Sequence, residues 1–283
     1  GSSSGPSPQG LTAAAPEAEL IRFSGVADTT QTDRGSFKLM NIKSVAVSIG
    51  LALTLVGAPA SQAGEAEDRI AQRLTEAVPG LKVNSVRESE AKGLYEVQSN
   101  NGDTIYTTED GTYLLTGDLL KITKNGIANV TEESRAGSRK DLMADYGGKG
   151  VISYPAKGKE KAVVNVFTDI DCPYCRKLHD EVPQLNEYGI TVNYYAFPRS
   201  GPGTASFNKY ISVWCADDQQ AAMDAAKAGR SVEQKSCENP VAEQYRLGGQ
   251  VGVTGTPAIL LEDGNMVRGY VPARNLAEGL GIL

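Results

Sequence analysis

The sequence predicts a small α+β domain, a helical linker, and a larger C-terminal α/β domain with a mixed sheet and a helical insertion. Three observations lead to this prediction. One amphipathic helix and several short strand-like runs with turn dipeptides occupy residues 65–116. A polar, helix-compatible stretch follows at 129–146. After residue 150, apolar runs alternate with helical patterns, which is typical of an α/β domain.

The composition excludes some classes of function. The 283 residues are 40% hydrophobic and 22% charged, as in a soluble globular protein. The formal net charge of -6 offers no concentrated basic face, which argues against a nucleic-acid partner. His179 is the one histidine in the sequence, so a multi-histidine metal site is excluded and a histidine base has one candidate.

The first 63 residues have the character of segments that precede the folded protein. Residues 1–39 stay rich in small and polar residues, as in a tag or an upstream extension. Residues 40–63 combine a positive residue, the uncharged apolar run 45–56 and a small-x-small site, so we expect a secretory signal peptide cleaved after Ala63. A membrane anchor is the alternative, but the run is shorter than the roughly 20 residues that span a bilayer. The mature protein is then expected where disulfides persist.

Residues 64–126 are predicted to form the small N-terminal domain. Ile70, Leu74 and Val78 recur at helical spacing, and Pro79-Gly80 ends that helix. The strand-like runs are 82–87, 94–99, 104–108 and 113–116, with turns at Asn101-Gly102 and Asp110-Gly111. A sheet this small has little core, so we expect its edge to pair with a second copy of the chain. The alternative is that this domain is only an N-terminal extension without such a role.

The linker, residues 127–149, is predicted as a solvent-exposed helix from Asn129 to Tyr146. Asn129 and Glu132 occupy the N-cap and N3 positions, and Gly147-Gly148 ends the helix. Residues 150–283 then form the α/β domain. Its predicted strands are 162–167, 190–197, 258–261 and 266–270, and its helices are a segment ending at 188 and those at 206–216, 219–228, 240–247 and 275–280.

Cys172 and Cys175 form a Cys-x-x-Cys motif that follows a predicted buried strand and opens a helix. Free N–H groups and the dipole at a helix N-terminus stabilise a thiolate, and such positions lower a cysteine pKa from about 8.5 to roughly 3.5–7.5. We therefore expect Cys172 to be the exposed, ionised nucleophile that attacks disulfides. Cys175, one turn deeper, is expected to be the resolving thiol. Pro173 fits the first turn, where its missing N–H costs nothing.

The remaining residues leave alternatives open. Cys215 and Cys237 are expected to form a structural disulfide, worth roughly 3 kcal/mol for a loop of about twenty residues. A second redox pair, a four-cysteine metal site, or an inert bridge within the Cys-x-x-Cys motif are the alternatives. His179 is expected to be a surface residue rather than a base. Thr256-Pro257 suits a cis bond before a strand, where Thr256 can present backbone groups to an extended substrate.

Together these residues resemble the thioredoxin superfamily and, more closely, the bacterial periplasmic disulfide isomerase family DsbC with its DsbG relatives. The segments that carry the resemblance are 166–175, 195–199, 214–216 and 252–258. The likeness extends from about Glu65 to the end of the chain. Val166 stands where thioredoxin has a buried acid beneath the active site, as the isomerase branch implies.

The resemblance implies a V-shaped homodimer in which the small domains pair, the linkers form arms and two thioredoxin-fold domains face an uncharged cleft. It implies that Cys172 is the nucleophile, Cys175 the resolving cysteine, and Pro257 the cis-proline opposite them. Substrate binding would fall to Pro173, Tyr174, Thr256 and Pro257. Thr256 would tune the site, and Cys215 and Cys237 would match the structural disulfide of the isomerase.

Two positions depart from the best-known isomerase. Pro173-Tyr174 between the cysteines is the DsbG dipeptide, where that isomerase has Gly-Tyr. Asp171 replaces the commonest threonine, and a carboxylate so close to Cys172 should raise its pKa modestly.

The resemblance predicts a periplasmic thiol-disulfide isomerase, with chaperone activity, that rearranges incorrect disulfides through mixed disulfides. The implied partners are misfolded disulfide-containing secreted proteins and a membrane thiol reductase of the DsbD type, and no cofactor is implied. The rival functions are a DsbG-like reductase of sulfenylated cysteines, a redox-independent holdase chaperone and a monomeric oxidase.

Overall fold

The structure is a computed structural model that describes residues 62–283. The predicted upstream extension and all but the last two residues of the predicted signal peptide lie outside the described residues. Between residues 62 and 283, every helix is too short or too polar to cross a membrane.

The N-terminal part is a helix packed on a four-stranded antiparallel sheet. Helix α1 spans Gln62–Ala77 and buries Ile70 and Leu74 against the sheet. The strands, in spatial order, are β1 (Val83–Glu88), β2 (Leu94–Ser99), β3 (Thr104–Thr108) and β4 (Leu114–Thr116). Val78, which recurs at helical spacing with Ile70 and Leu74, lies outside the helix, because α1 ends one residue earlier and Val78 is 40% exposed.

A second hairpin, which the sequence analysis missed, follows this sheet. It pairs β5 (Leu120–Thr123) with β6 (Gly126–Asn129). Asn125-Gly126 is a hairpin turn signal at its tip. The hairpin leaves Leu120, Ile122 and Ile127 exposed at 55%, 90% and 71%. These side chains, with Tyr113, Leu114 and Leu115, are called the apolar patch below.

The linker helix α2 (Val130–Tyr146) begins and ends where the sequence predicts. The Asn129 side chain accepts a hydrogen bond from the Glu132 N–H, and Gly147, at a φ of 66°, donates its N–H to the Met143 carbonyl. The prediction that this helix is solvent-exposed is wrong. Arg139 is 3% exposed and donates to the carbonyls of Val251 and Gly264 in the C-terminal domain. The linker is therefore packed onto that domain.

The C-terminal part has a five-stranded mixed sheet in the order β11-β10-β8-β9-β7. Strands β8 and β9 are parallel and the other neighbours are antiparallel. The strands are β7 (Ile152–Tyr154), β8 (Ala162–Thr168), β9 (Ile190–Ala196), β10 (Ala258–Leu260) and β11 (Met266–Arg268). The helices are α3 (Pro173–Asp180), α4 (Val182–Glu187), α5 (Ala205–Trp214), α6 (Gln219–Lys227), α7 (Val241–Gln250) and α8 (Ala273–Gly279).

Apolar layers on the two faces of this sheet hold the site in place. On one face Val164, Val166 and Tyr194 pack in a cluster with residues of helices α3 to α8. On the other face Phe167 and Tyr195 pack with residues of α7 and with the end of the linker helix. Because Phe167 on β8 pairs with Ala258 on β10, the end of β8 lies beside the turn that precedes β10.

Candidate active site

Cys172 lies at the junction between strand β8 and helix α3. It is the N-cap residue of α3, and its N–H donates to the Asp169 carbonyl at 3.2 Å. Pro173 occupies the first turn of the helix, as predicted from its missing N–H. Cys172 therefore lies at the end of the helix where N–H groups are free, a position that favours a thiolate, although its thiol makes no cap hydrogen bond to them.

The Cys172 side chain is covered rather than open to solvent. The residue is 2% exposed, and its thiol donates to the Thr256 carbonyl with 3.3 Å between the heavy atoms. The prediction of an exposed nucleophile is therefore wrong, because the turn before β10 lies over the sulfur. Next to it, Pro173 is exposed, and Tyr174 is 62% exposed.

The surroundings of Cys172 favour its thiolate. Burial raises the pKa of the thiol, but the donor groups around it, first the Thr256 hydroxyl and then the Cys175 and Tyr174 N–H groups, favour the thiolate and outweigh burial. The net pKa of Cys172 lies below its ordinary value. Within residues 62–283 the Thr256 hydroxyl is buried and has no hydrogen-bond partner, so its hydrogen is free to be donated to a Cys172 thiolate.

The Asp171 carboxylate, one residue before Cys172, is paired with two positively charged side chains. Its carboxylate lies 2.6 Å from the Lys209 ammonium and 3.5 Å from the Arg176 guanidinium. Burial raises the Asp171 pKa, but the Lys209 contact outweighs it and the net pKa is lowered. Its negative charge is thus compensated locally, and the pKa of Cys172 is lowered overall even with this carboxylate one residue away.

Cys175 lies deeper than Cys172, and its pKa is shifted in the opposite direction. The residue is 1% exposed, and its sulfur accepts the Asp169 N–H at 3.4 Å. Burial raises its pKa, and the nearby positive charge of Lys227 only partly offsets that rise. The two thiols are unbonded in this structure. One sulfur is therefore biased toward the thiolate and the other toward the thiol.

Three buried polar groups around the cysteines were missed by the sequence analysis. Asp169 is 3% exposed and binds the Arg199 guanidinium at 2.8 Å. Thr168 is fully buried, and Lys227 at the end of α6 is 3% exposed. Asp169 lies within the Cys-x-x-Cys segment and could have been found there. Lys227 sits at a helix position that, by pattern alone, looks like any surface lysine.

The remaining predicted residues have defined positions. His179 is not a surface residue, because its side chain is 11% exposed and its ring nitrogens contact the Tyr194 hydroxyl at 3.0 Å and Asp224 at 3.1 Å. Burial lowers its pKa. Cys215 and Cys237 are joined by a disulfide with 5.7 Å between their Cα atoms, so their sulfurs are not free to ligate a metal. The Thr256–Pro257 peptide bond is cis.

Comparison with known proteins identifies the family. Residues 59–132 match the disulfide bond isomerase protein N-terminal domain, and residues 152–281 match the thioredoxin-like domain. Thiol:disulfide interchange protein DsbC of Escherichia coli is 38% identical over 216 residues, which cover 76% of this chain and 88% of that protein. The chain belongs to the DsbC family of thiol:disulfide interchange proteins.

Further DsbC proteins agree. The DsbC of Dickeya dadantii is 40% identical over 197 residues, covering 70% of this chain and 80% of that protein. The DsbC of Salmonella typhimurium is 39% identical over 219 residues, covering 77% and 88%. The predicted family and the predicted fold class, an α+β N-terminal domain followed by a thioredoxin-like domain, are both confirmed.

Proposed function

We propose that this DsbC-family chain is a periplasmic thiol-disulfide isomerase and reductase that rearranges incorrect disulfides in secreted proteins, with chaperone activity. The Cys172 thiolate attacks a substrate disulfide and forms a mixed disulfide, releasing one substrate thiolate. A second substrate thiol then displaces Cys172 with a better pairing, or Cys175 displaces the substrate and leaves an oxidised Cys172–Cys175 pair. Each step exchanges one S–S bond for another.

The opposite bias of the two cysteines is the observation that carries this proposal. The Thr256 hydroxyl and the N–H groups at the start of α3 outweigh burial and lower the pKa of Cys172, whereas burial raises that of Cys175. An isomerase needs such a pair, because the attacking sulfur must be ionised while the resolving sulfur waits long enough for the substrate to rearrange. In this proposal Cys215–Cys237 is structural, and the redox chemistry belongs to Cys172 and Cys175.

Substrate access runs through the turn that covers Cys172. Thr256 contacts the Cys172 sulfur through its carbonyl, and Tyr174 and Pro173 are the exposed residues beside it. We propose that an extended substrate strand docks on the Thr256-Pro257 backbone and moves the Thr256 carbonyl off the sulfur. The exposed ring of Tyr174 then supplies apolar contact to the substrate.

The apolar patch supports a homodimer. It combines exposed residues at the edge strand β4 with exposed residues of the β5–β6 hairpin. An unpaired sheet edge and exposed apolar side chains are each typical of a self-association surface. We further propose that a membrane thiol reductase of the DsbD type keeps the active site reduced, since isomerisation starts from free Cys172. Thiol trapping of freshly harvested protein should then find Cys172 and Cys175 reduced beside an oxidised Cys215–Cys237 pair.

The test compares two single substitutions in the refolding of scrambled ribonuclease. Cys172→Ala should abolish isomerisation, because no sulfur is left to attack. Cys175→Ala should accumulate covalent adducts visible on non-reducing gels, since the mixed disulfide can no longer be resolved from within. Isomerase activity in Cys172→Ala would overturn the mechanism. If the natural chain shows no isomerase activity and a variant that lacks both Cys172 and Cys175 still suppresses aggregation, the protein is instead a redox-independent holdase.

A further inference from the structure

Lys227 carries a buried charge whose neighbouring carboxylates are engaged elsewhere. The residue is 3% exposed at the end of α6. The Asp169 carboxylate binds Arg199, and the Asp224 carboxylate binds His179. A buried ammonium without a paired anion destabilises a fold, so such a residue is a candidate for a role in the chemistry.

The ammonium of Lys227 binds the strand end that leads into the active site. Its Nζ donates to the Thr168 hydroxyl at 2.5 Å and to the Asp169 carbonyl at 3.0 Å. The Nζ atom also lies over the Tyr194 ring, 5.5 Å from the ring centre. Both acceptors belong to the end of β8 and the residue after it.

The same two residues serve the Cys175 sulfur. The Asp169 N–H donates to the Cys175 sulfur at 3.4 Å. Against the effect of burial, the pKa of Cys175 is lowered first by the charge of Lys227, then by that N–H, and then by the Thr256 and Thr168 hydroxyls. A hydroxyl that accepts from an ammonium still has its own hydrogen to donate. The Thr168 hydroxyl can therefore connect Lys227 to Cys175.

We infer that Lys227 is a positioning residue for the resolving step, in which its ammonium, acting through the Thr168 hydroxyl, is the counter-charge of the Cys175 thiolate. This inference rests on the proposed function, because it concerns the second half of the exchange. The Cys175 thiol loses its proton to the buffer, and its thiolate attacks the Cys172 sulfur of the mixed disulfide. The Cys172–Cys175 bond forms as the bond to the substrate sulfur breaks, and the substrate leaves as a thiolate. Lys227 keeps its proton throughout.

The charges around Lys227 give the direction of the effect. Burial lowers the pKa of Lys227 to about 8, so it is still largely charged at neutral pH. Burial raises the pKa of Cys175, and the charge of Lys227 opposes that rise, so removing the ammonium raises the pKa further. The other titratable or charged groups near Lys227 are Cys172 at the N-cap of α3, Arg176 and His179 on α3, Asp169 after β8, Tyr194 on β9 and Asp224 on α6.

The experiment separates the two steps with one molar equivalent of 5,5'-dithiobis(2-nitrobenzoic acid) and the fully reduced protein. Attack by Cys172 releases the first coloured thiolate, and attack by Cys175 on the resulting mixed disulfide releases the second. The rates of both releases are measured against pH for the natural chain, for Lys227→Met, and for Lys161→Met, a control that removes an exposed lysine of the same domain. Methionine keeps the length of the buried stem and removes the ammonium, with its charge and its two hydrogen bonds.

We expect the Lys227→Met profile of the second release to shift to higher pH, while the first release changes by less than twofold. Per unit of pKa rise, the thiolate fraction at neutral pH falls about tenfold and thiolate nucleophilicity recovers about threefold, so the second release slows three- to fourfold. Above about pH 8 the natural chain also loses the Lys227 charge, so the difference between the two chains should shrink there. Thr168→Val should shift the profile the same way, and Lys161→Met should not.

The outcomes distinguish this inference from the proposed function. An unshifted second-release profile in Lys227→Met, with normal first release, overturns the role of Lys227 and leaves the isomerase proposal intact. Absence of the first release in the natural chain overturns the proposed function itself. If Lys227→Met does not fold, Thr168→Val decides, and an unshifted profile in that variant overturns the inference.

Discussion

Replacing Lys227 with methionine should stabilise the protein at neutral pH, although it slows resolution. The folded pKa of Lys227 is about 8, against an ordinary value of 10.5. A base whose pKa is depressed on folding binds fewer protons in the folded than in the unfolded state, so it destabilises the fold wherever it must be charged. That penalty is fully present below about pH 8 and disappears as the pH rises through 10.5.

The size of the gain follows from the shift. A depression of about 2.5 pKa units at 1.36 kcal/mol per unit corresponds to about 3 kcal/mol. Lost hydrogen bonds reduce this only slightly, because the Asp169 carbonyl also accepts the Cys172 N–H at 3.2 Å and stays paired. We therefore expect Lys227→Met to raise the free energy of unfolding by about 1–3 kcal/mol at pH 7.

Urea unfolding of the reduced active-site form, at pH 7 and again near pH 10.5, measures this gain. Both proteins carry Cys175→Ala in addition, because the pKa of Cys175 depends on Lys227. The other groups that titrate between these pH values are common to both proteins, so their contributions cancel in the difference. The gain should shrink towards zero at the higher pH. Destabilisation at pH 7 by 1 kcal/mol or more, or a gain independent of pH, would refute the electrostatic reasoning.

Two further predictions concern the packing of the linker and the apolar patch. Gly264, at a φ of +87°, lies so close to the Ala136 carbonyl in α2 that an added Cβ would clash with it. In urea titration, Gly264→Ala should therefore lower the free energy of unfolding by about 2 kcal/mol or more. The control Gly249→Ala in α7, where an added Cβ meets open space, should be neutral or slightly stabilising. Ile122→Asp should convert the proposed dimer to a monomer in sedimentation experiments, because it places a charge in the apolar patch. The control Leu283→Asp, at an exposed leucine outside the apolar patch, should leave the mass unchanged. An Ile122→Asp variant that stays dimeric would show that the interface does not include the apolar patch.

Much of the fold could be predicted because local signals and tertiary packing agree. The Asn129 cap, the Gly147 end of the linker helix, the buried strand β8 and the turn glycines each need only the residues themselves. Strand β7 was missed because three residues at a sheet edge carry too little periodicity. The β5–β6 hairpin was missed although Asn125-Gly126 marks its turn.

The side-chain environments were harder to predict, because burial depends on which helix packs where. The linker helix is polar enough to look solvated, yet Arg139 is buried by hydrogen bonds to carbonyls far along the chain. Lys227 looks like a surface residue until α6 is placed behind β8. Cys172 is at the predicted helix start, but the turn that covers it is 84 residues away in sequence. The chemistry of the Cys-x-x-Cys motif could therefore be predicted from the sequence, but the burial of Cys172 could not.

The central claim is that the start of α3 holds the Cys172 sulfur in a reactive, ionised form. Alkylation of Cys172 by iodoacetamide as a function of pH, in the reduced Cys175→Ala variant, tests it most directly. The inflection should lie below the ordinary cysteine pKa of about 8.5, and at neutral pH Cys172 should have a larger thiolate fraction than a free cysteine. An inflection at or above the ordinary value, or a thiol that does not react below it, would contradict the claim.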